Sequence, residues 1–450
     1  MVRPVVVWFR DDLRVHDNPA LMKAWELVRA NPADLHAVYI ANEVGVRPLG
    51  GAVKWWLHHS LLALSEQLAQ RGVRLHVLSG DPLTLLPQLV TSCGATAVTM
   101  NRRYDPAARS IDDAFVADAS AHDVEVYDFP CHLLAEPGEI TTTTGGSYKV
   151  FTPFSRNLRD AIGDLPLDTL AAPPKSAQPI DDTETQAAIA DLGWDAWWAA
   201  SISKAWTPGE PAAREALAEL DDILPRYLED RDRPDIDGTS RLSPRLRFGE
   251  LSVAEVWNHA HTSEGFRRQL MWRDFAWHRL DAHPDMATAN IRPEFDRFPW
   301  DGGDFEAELN AWRHGRTGIA LVDAGMRELW AIGTMHNRVR MVAASLLVKN
   351  LGIHWRHGEQ WFWDTLVDAD PASNPFNWQW VAGSGDDAAP YFRIFNPDTQ
   401  ARRFDPDGTY RDRWLPIMSA DYPEEAIVDL KESRLRALDA YNACKRWAIR

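Results

Sequence analysis

The sequence predicts an N-terminal α/β domain, built on a doubly wound parallel sheet of five strands, and a larger all-α domain after it. Two observations support this fold class. Over roughly the first 130 residues, short apolar runs rich in β-branched residues alternate with helical stretches, which is the pattern of a parallel sheet with crossover helices. Beyond residue 208, apolar residues recur at the spacing of packed helices nearly to the end. A chain of 450 residues also has the length of two domains.

The predicted strands are nearly continuous in apolar character, as strands buried on both faces of a sheet are. They are 4–9, 35–40, 73–80, 95–101 and 124–129, and the helices between them are 18–30, 52–71 and 81–93. The loop after the first strand, RDDLRVHDNPAL, is charged. It carries no glycine-rich fingerprint, so the usual dinucleotide-binding motif is absent.

We place the α/β domain at 1–132, a linker at 133–205 and the helical domain at 206–450. The linker is rich in Thr, Gly and Pro, which is typical of a surface connection. Helices are predicted at 211–230, 250–260, 265–282, 304–313, 318–332, 336–350 and 358–367. Two long polar and aromatic stretches, 232–247 and 368–398, are expected to be loops that grip a ligand.

The composition is that of a soluble globular protein, with 45% hydrophobic and 25% charged residues. No apolar stretch approaches the ~20 residues of a membrane span, and the first residues lack the features of a signal peptide. The sequence therefore predicts a cytoplasmic protein with no membrane partner. Its 21 tryptophans are far above the usual number, so a cluster of indoles near a functional site is expected in addition to a tryptophan-rich core.

Three cysteines, Cys93, Cys131 and Cys444, lie far apart and in no CxxC spacing. This excludes a disulfide framework, a structural zinc site and an iron–sulfur cluster held by this chain alone, and buried thiols are the simplest interpretation. The net charge of −17 argues against a general polyanion binder. Local arginine clusters can still form a basic groove, although salt-bridged helix faces explain most such clusters. These arginines are Arg241, Arg245, Arg247, Arg267, Arg268, Arg273, Arg338 and Arg340.

Three motifs in the helical part combine residue types that bind ligands. GTSRLSPRLRFGELS (238–252) has small hydroxyl residues before a helix start, which suits a pyrophosphate. A capped turn without a ligand would have the same pattern. RRQLMWRDFAWHRL (267–280) places Trp, Arg and Asp side by side, and a salt-bridged helix is its alternative. GTMHNRVRM (333–341) opens a helix on which Asn337 and Arg340 share one face, as do Arg338 and Met341.

A fourth motif, DADPASNPFNWQW (368–380), combines two carboxylates, a turn and two indoles. The carboxylates suggest a metal or a polarised ligand, but no histidine or further carboxylate completes a metal shell. If the segment is extended, Trp378 and Trp380 point to opposite sides of it.

Together these motifs, with VVWFRDDLRVHDNPAL, YKVFTPF and DAAPYFRIFNP, resemble the photolyase/cryptochrome flavoproteins, most closely the class III photolyases that repair cyclobutane pyrimidine dimers. The resemblance runs in order from the first strand to about residue 416. It implies an α/β antenna domain, a helical domain that binds FAD in a U shape, and ultraviolet-damaged DNA as partner. It implies light-driven repair, in which photoexcited reduced FAD passes an electron to a flipped-out dimer.

The resemblance also assigns roles to individual residues. The cofactor-binding residues implied are Tyr227, Thr239, Ser240, Arg241, Leu242, Ser243, Asn337, Arg340, Asp368, Asp370 and Asn374, the last of them facing flavin N5. The catalytic set adds to Asn374 the three tryptophans that carry an electron inward, Trp378, Trp355 and Trp300. The residues implied at the dimer or the DNA backbone are Arg231, Gln269, Trp272, Arg273, Asn337, Arg338, Met341 and Trp380, with the two tryptophans as the wedge on which the dimer stacks.

Two positions depart from the family pattern. Cyclobutane-dimer photolyases typically have glutamate where this chain has Gln269, and glutamine is more like the (6-4) photolyases. Those enzymes have a second histidine where this chain has Asn337, so the pattern as a whole favours cyclobutane dimers. Thr334 replaces a common tryptophan, which would enlarge the pocket there.

The resemblance further implies an antenna chromophore, methenyltetrahydrofolate or a deazaflavin, for which Asp105 is a weak contact candidate. A cryptochrome photoreceptor, a (6-4) photolyase and a flavin electron-transfer protein are the alternative functions. The chain lacks a long tail after the family core, which argues against a cryptochrome. A monomer is expected, because a DNA-facing groove is the one large functional surface implied.

Overall fold

The structure is a computed structural model that describes residues 4–28, 31–388, 392–415 and 422–448. The predicted α/β domain, 1–132, therefore begins outside the described residues. The predicted helical domain, 206–450, ends outside them. The strands are β1 Val5–Phe9, β2 Leu35–Ala41, β3 Arg74–Ser79, β4 Ala97–Asn101 and β5 Glu125–Phe129. The helices up to the end of the predicted linker are α1 Pro19–Leu27, α2 Gly51–Ala69, α3 Pro82–Cys93, α4 Pro106–Ala121, α5 Phe151–Ile162, α6 Thr183–Ala190 and α7 Ile202–Ala205.

The remaining chain is helical. Its helices are α8 Glu210–Ala218, α9 Leu220–Ile223, α10 Tyr227–Asp230, α11 Ser243–Arg247, α12 Val253–His259, α13 Glu264–Ala282, α14 Glu306–Arg313, α15 Ala320–Ile332, α16 Asn337–Ser345, α17 Trp355–Thr365, α18 Ser373–Ala382, α19 Pro397–Phe404, α20 Thr409–Trp414 and α21 Leu430–Ala448. Short 3₁₀ turns join several of them, and α16 continues into a π-helical turn, Leu346–Asn350. No helix among the described residues is both long enough and apolar enough to span a membrane.

The five strands form one parallel sheet in the order β3-β2-β1-β4-β5. Strand β1 pairs with β2 on one side and with β4 on the other, so Val5 lies opposite both Leu35 and Ala97. The chain thus extends the sheet first on one side of β1 and then on the other, which is the doubly wound arrangement. The predicted fold class is confirmed, and each predicted strand lies within two residues of its observed bounds.

The sheet is buried because its strands carry apolar side chains on both faces. On one face Val6, Trp8 and Met100 pack with Leu86 of α3 and Phe115 of α4. Helix α1 packs against β1 and β4. Helix α4 was not among the predicted helices. Asp105 begins it, since its carboxylate accepts a hydrogen bond from the backbone N–H of Ala108 (3.0 Å).

Three segments predicted to be irregular contain helices. The linker holds α5, α6 and α7, and the stretch 232–247 ends in α11. The stretch 368–398 contains α18, so its prediction as a loop was wrong. Asp370 Oδ1 accepts hydrogen bonds from the backbone N–H groups of Ala372 (2.8 Å) and Ser373, which stabilises the start of α18. The Pro, Ser and Asn residues that suggested a loop stand before the helix and in its first turn.

The chain divides into two compact units that are discontinuous in sequence. The first comprises Met1–Thr141, Ser155–Leu224 and Ser240–Asp274, and the second comprises Thr142–Phe154, Pro225–Thr239 and Phe275–Arg450. The helical half of the chain thus contributes to both units. Within the predicted phosphate-binding segment, Thr239 belongs to the second unit and Ser240 to the first.

Candidate functional site

In the first unit, the predicted phosphate-binding segment is a tight turn that enters α11. Arg241 has a φ of 52°, in the left-handed region that is costly for a residue with a side chain. Its guanidinium stacks on the indole of Trp206, 4.2 Å from the ring centroid. Leu242 is buried beside it, whereas Ser243 is exposed. The turn therefore keeps hydroxyl and guanidinium groups at the surface of this unit.

A buried ion pair supports that turn. Glu250 is fully buried and accepts hydrogen bonds from Arg245 (3.1 Å), Trp56 Nε1 (2.8 Å) and the backbone N–H of Gly209 (2.7 Å), as well as from the Ser60 hydroxyl. Burial raises the pKa of Glu250, and these donors offset part of that effect. Arg245, which the arginine clusters suggested for a basic groove, is thus part of the scaffold. A buried charge must be paired in this way.

Helix α13 carries Gln269, Trp272 and Arg273. Gln269 and Trp272 are half-buried, and the Gln269 amide donates to the Gly265 carbonyl (3.3 Å). Arg273 donates to the carbonyl of His132 (2.7 Å) and contacts its ring Nε2 (2.6 Å). The guanidinium is mostly buried in this contact, which favours a structural role over the implied DNA contact.

The aspartate next to Arg273 reinforces the same contact. Asp274 is fully buried and accepts a hydrogen bond from the backbone N–H of Leu134 (2.6 Å). Burial raises its pKa to about 7. The Arg-Asp pair therefore binds residues 132–134 to α13. Sequence reasoning missed this role because nothing in the linker indicates which helix it packs against.

In the second unit, two arginines implied at the DNA lie beside one aspartate. Arg338 Nη2 is 2.6 Å from Asp232 Oδ2, and Arg231 Nε is 3.9 Å from Asp232 Oδ1. The Arg338 guanidinium also lies 4.4 Å from the ring centroid of Phe404, and that of Arg231 lies 5.4 Å from Tyr227. Tyr227 itself is buried.

The start of α16 presents the MHNRVRM residues as predicted. His336 begins the helix, since its Nδ1 accepts from the backbone N–H of Arg338 (3.2 Å). Burial lowers the pKa of His336 to about 4, so the imidazole is neutral at physiological pH. Asn337 is exposed and Met341 is half-buried one turn further on, with the Asn337 amide 3.9 Å from the Met341 sulfur.

Arg340 and Asp368 form a paired ion bridge in the same unit. The two guanidinium Nη atoms lie 3.2 and 3.1 Å from the two carboxylate oxygens. Arg340 also donates to the Met335 carbonyl (2.7 Å) and to the Thr334 hydroxyl (3.3 Å). Thr334, in place of the family's tryptophan, thus supplies a hydrogen-bond acceptor that fixes Arg340.

Asn374 lies on α18 with its amide fixed by α17. Its Nδ2 donates to the carbonyl (3.0 Å) and to the carboxylate (2.8 Å) of Glu359. Both amide hydrogens are therefore used, and within the described part of the chain the Asn374 oxygen has no donor. Asn374 and Glu359 are both buried. The arrangement suits a ligand that donates a hydrogen bond, as flavin N5 does when it carries a proton.

Two of the three implied relay tryptophans, whose spacing in sequence showed no proximity, lie on the neighbouring helices α17 and α18. Trp378 packs on Gly358, where a Cβ atom would stand only 2.1 Å from the indole. Trp355 lies one turn before Gly358 on the same face of α17 and is fully buried. His354 then lies 5.4 Å from the ring of Trp355 and 5.2 Å from that of Trp300. Trp300 is half-buried, so the series ends toward solvent.

Trp380 follows Trp378 at two residues, on a helix rather than on the extended segment that the sequence suggested. Side chains two apart on a helix diverge by about 200°, so the two indoles still leave on different sides. The Trp380 indole donates to the carbonyl of Asp387 (3.2 Å). Sequence reasoning gave Gln379 no role. Its buried amide donates to the carbonyls of Met286 (2.7 Å) and Ala289 (2.9 Å), which fixes α18 to that loop.

The residues present fit a bound flavin on two observations. Among the described residues no group donates to the oxygen of the buried Asn374, and the Arg340–Asp368 pair places a charged group of either sign on the same unit. Among the described side chains, no group of three or more His, Cys, Asp or Glu residues could hold a metal ion. The Asn374 amide and the Arg340–Asp368 pair are groups to which an organic ligand can hydrogen-bond.

Comparisons with known proteins agree with this chemistry. A family model described as DNA photolyase matches residues 5–175, and one described as the FAD binding domain of DNA photolyase matches residues 266–420. A relative named deoxyribodipyrimidine photo-lyase, from Agrobacterium fabrum, is 43% identical over 98% of this chain and 98% of its own length. Cryptochrome-1 of Arabidopsis thaliana is 35% identical over 92% of this chain and 63% of its own length.

The fold agrees as well. A solved structure of a bacterial class III photolyase from Agrobacterium tumefaciens matches with a TM-score of 0.90 and 41% identity, over 99% of this chain and 98% of that one. Both family models, the relatives and the fold thus confirm the resemblance derived from the motifs. The chain belongs to the photolyase/cryptochrome family.

Proposed function

We propose that the protein repairs cyclobutane pyrimidine dimers in DNA, as a deoxyribodipyrimidine photo-lyase driven by light with FAD as its cofactor. The observation that carries the proposal is the interface between α17 and α18. Glu359 fixes Asn374 and Gly358 receives Trp378, so one helix pair holds both the implied flavin contact and the first implied electron relay. The names of the relatives and the match to an FAD-binding domain support the same activity.

When bound, FAD supplies a light-absorbing electron donor, and the protein supplies its position and electrostatic environment. Asn374 would accept a hydrogen bond at flavin N5. Arg340 and Asp368 would flank the ring system. The turn with Ser240 and Arg241 would hold the phosphates, because hydroxyls and a guanidinium are suitable donors to phosphate oxygens.

The tryptophans would deliver the electron that keeps the cofactor reduced. Trp378, Trp355 and Trp300 run from the buried helix interface to a half-buried position. His354 stands between the last two rings, and burial lowers its pKa to about 4, so it adds no positive charge there at physiological pH. A neutral imidazole avoids repelling the positive charge that an oxidised indole carries.

The substrate would be a dimer flipped out of the duplex. A dimer is poorly paired and stacked, so it costs less to extrude than an intact base. Trp272 and Trp380 would stack on it, a contact worth roughly 1–3 kcal/mol per base. Gln269, Asn337 and Met341 would contact the dimer, and Arg231 and Arg338 the backbone. We leave Arg273 out of this set because His132 engages it.

The primary test illuminates the reduced, FAD-loaded protein with an oligonucleotide that carries one cyclobutane thymine dimer. Recovery of absorbance at the band of intact thymine is the expected result. Parallel reactions contain a (6-4) lesion or an undamaged strand. Repair of the (6-4) lesion alone would contradict the proposed specificity for cyclobutane dimers. Binding of FAD without any repair would favour a cryptochrome photoreceptor.

The electron path has its own test. Trp378→Phe removes the relay tryptophan that the resemblance places next to the flavin. Photoreduction of oxidised FAD should therefore fall to background, while repair by chemically reduced enzyme is nearly unchanged. Trp25→Phe, at a buried tryptophan of α1, is the matched control and should photoreduce normally. Photoreduction that survives Trp378→Phe would show that the electron enters by another route.

Three further expectations belong to the same proposal. The α/β domain would bind an antenna chromophore, either methenyltetrahydrofolate or a deazaflavin. The helix-capping bond of Asp105 accounts for that residue without a chromophore, so we assign no contact to it. Release of the pigment on denaturation and its absorption spectrum would identify it. The protein would act as a cytoplasmic monomer, which sedimentation and cell fractionation can test.

A further inference from the structure

Asp232 lies between the two arginines that the proposed function places on the DNA backbone. Its carboxylate is 2.6 Å from Arg338 Nη2 and 3.9 Å from Arg231 Nε. The aspartate thus pairs closely with Arg338 and lies near Arg231 at a distance too long for a hydrogen bond.

The cluster is partly open to solvent, and a third arginine lies near it. Phe404 lies under the Arg338 guanidinium at 4.4 Å, and the exposed Arg403 lies 5.0 Å from the same ring. The side chain of Asp232 is 37% exposed, and that of Arg338 is 19% exposed. An incoming anion can therefore reach the pair.

A carboxylate and a phosphate compete for the same donors. Both accept paired hydrogen bonds from a guanidinium, in similar geometry. An ion pair that is open to solvent contributes little net stability, so a DNA phosphate can displace Asp232 from Arg338. The displaced carboxylate stays close to the bound phosphate, and two like charges in proximity repel each other. Asp232 therefore weakens the complex without preventing it.

We propose that Asp232 is an internal competitor for the DNA phosphate and hastens the release of repaired DNA. This inference rests on the proposed function. Backbone contacts are shared by damaged and repaired DNA, so a competitor for them weakens both complexes alike. Damaged DNA retains the stacking of its flipped-out dimer, whereas repaired DNA depends on backbone contacts and leaves. Asp232 thus acts through the arginines: it lowers the affinity for DNA and raises the rate at which repaired DNA leaves.

The test compares Asp232→Asn with Glu229→Gln, a matched loss of one negative charge on the neighbouring α10. Glu229 is 78% exposed and pairs loosely with Arg226, not with Arg231 or Arg338. Fluorescence anisotropy with an undamaged duplex should show Asp232→Asn binding about threefold to fivefold tighter than wild type at low salt, the range of an exposed charge pair. The gain should shrink as salt screens the charges, and Glu229→Gln should bind like wild type.

A second background isolates the pair. In Arg338→Gln protein, Asp232→Asn should tighten binding by much less, because its main partner is gone. Multiple-turnover repair should show kcat/KM raised and kcat lowered in Asp232→Asn, as expected when product release becomes slower. Weaker or unchanged DNA binding by Asp232→Asn would overturn the proposal, since it would mean that Asp232 only holds Arg338 in place. An equal gain in Glu229→Gln would also overturn it, as a general charge effect.

The two proposals fail in different ways. If wild-type protein neither prefers dimer-containing DNA nor repairs it, the proposed function is wrong. If wild-type protein repairs DNA normally and Asp232→Asn matches it in affinity and turnover, only the role of Asp232 is wrong. Thermal unfolding of each variant checks that the affinity changes do not come from loss of fold.

Discussion

Gly358→Ala should displace Trp378 and so disable photoreduction without touching any ligand. Gly358 lies inside α17, and a Cβ atom added there would stand 2.1 Å from Cη2 of Trp378 and 2.5 Å from its Cζ3. Atoms of this kind rarely approach within 3.4 Å, so the indole or the helix has to move by more than 1 Å. The indole is the part that the proposed electron path needs in place.

The expected cost in stability follows from two opposing effects. Overpacking a tight interface costs about 1–3 kcal/mol. Replacing glycine by alanine inside a helix returns about 1 kcal/mol of helix propensity. The free energy of unfolding of the second unit should therefore fall by about 0–2 kcal/mol, so the variant should fold. The larger effect is expected on photoreduction, because the first relay is displaced.

The assay follows reduction of oxidised FAD under blue light, together with urea unfolding. Gly302→Ala is the matched control, since no atom lies within 4 Å of the added Cβ and its φ is outside the left-handed region. Gly358→Ala should photoreduce much more slowly than wild type, and Gly302→Ala should not differ from it. Wild-type photoreduction and stability in Gly358→Ala would refute the packing of Trp378 on Gly358 as the basis of the relay.

Two further predictions concern the charged groups. Burial raises the pKa of Asp274 from 3.8 to about 7, so its contribution to stability is complete below about pH 4 and is lost as pH rises through 7. As pH rises from 4 to 8, the free energy of unfolding of Asp274→Asn should therefore increase relative to that of wild type, by on the order of 4 kcal/mol. Urea unfolding at a series of pH values measures this difference. Parallel profiles of unfolding free energy against pH for the two proteins would contradict the prediction. Arg340→Lys should lower FAD retention on gel filtration and cost about 1–3 kcal/mol of stability, because lysine cannot make the paired bridge to Asp368. Arg436→Lys, at an exposed pair with Glu432, should behave like wild type, and equal FAD loss in both variants would show that the bridge is not responsible.

The sheet was predictable because its strands carry their information locally. A run such as Val5–Phe9 is apolar on both faces, as strands buried inside a parallel sheet are. Most helices after residue 208 were predictable for a similar reason, since each buries one apolar stripe. The start of α16 was predicted to within one residue, at 336 where the structure has Asn337, because the apolar spacing of a helix begins there.

Other features depend on partners far away in sequence. Arg273 and Asp274 looked like ligand-binding groups, but they bind the segment near His132, which a helix pattern cannot reveal. The loop prediction for 368–398 failed because residues that favour turns, such as Pro371, also favour the start of a helix. Gly358 gave no signal of its contact with Trp378, because the predicted helix 358–367 began at this glycine whereas α17 begins at Trp355.

Helix α18 has a consequence for how this part of the protein can change. Asn374, Trp378 and Trp380 stand on ten consecutive helical residues, Ser373–Ala382, and the buried amide of Gln379 anchors the same segment. Inserting or deleting one residue would turn every later side chain by about 100°, and so would misdirect both indoles and the anchor together. Substitutions can change these positions one at a time, but the number of residues between them has to stay the same.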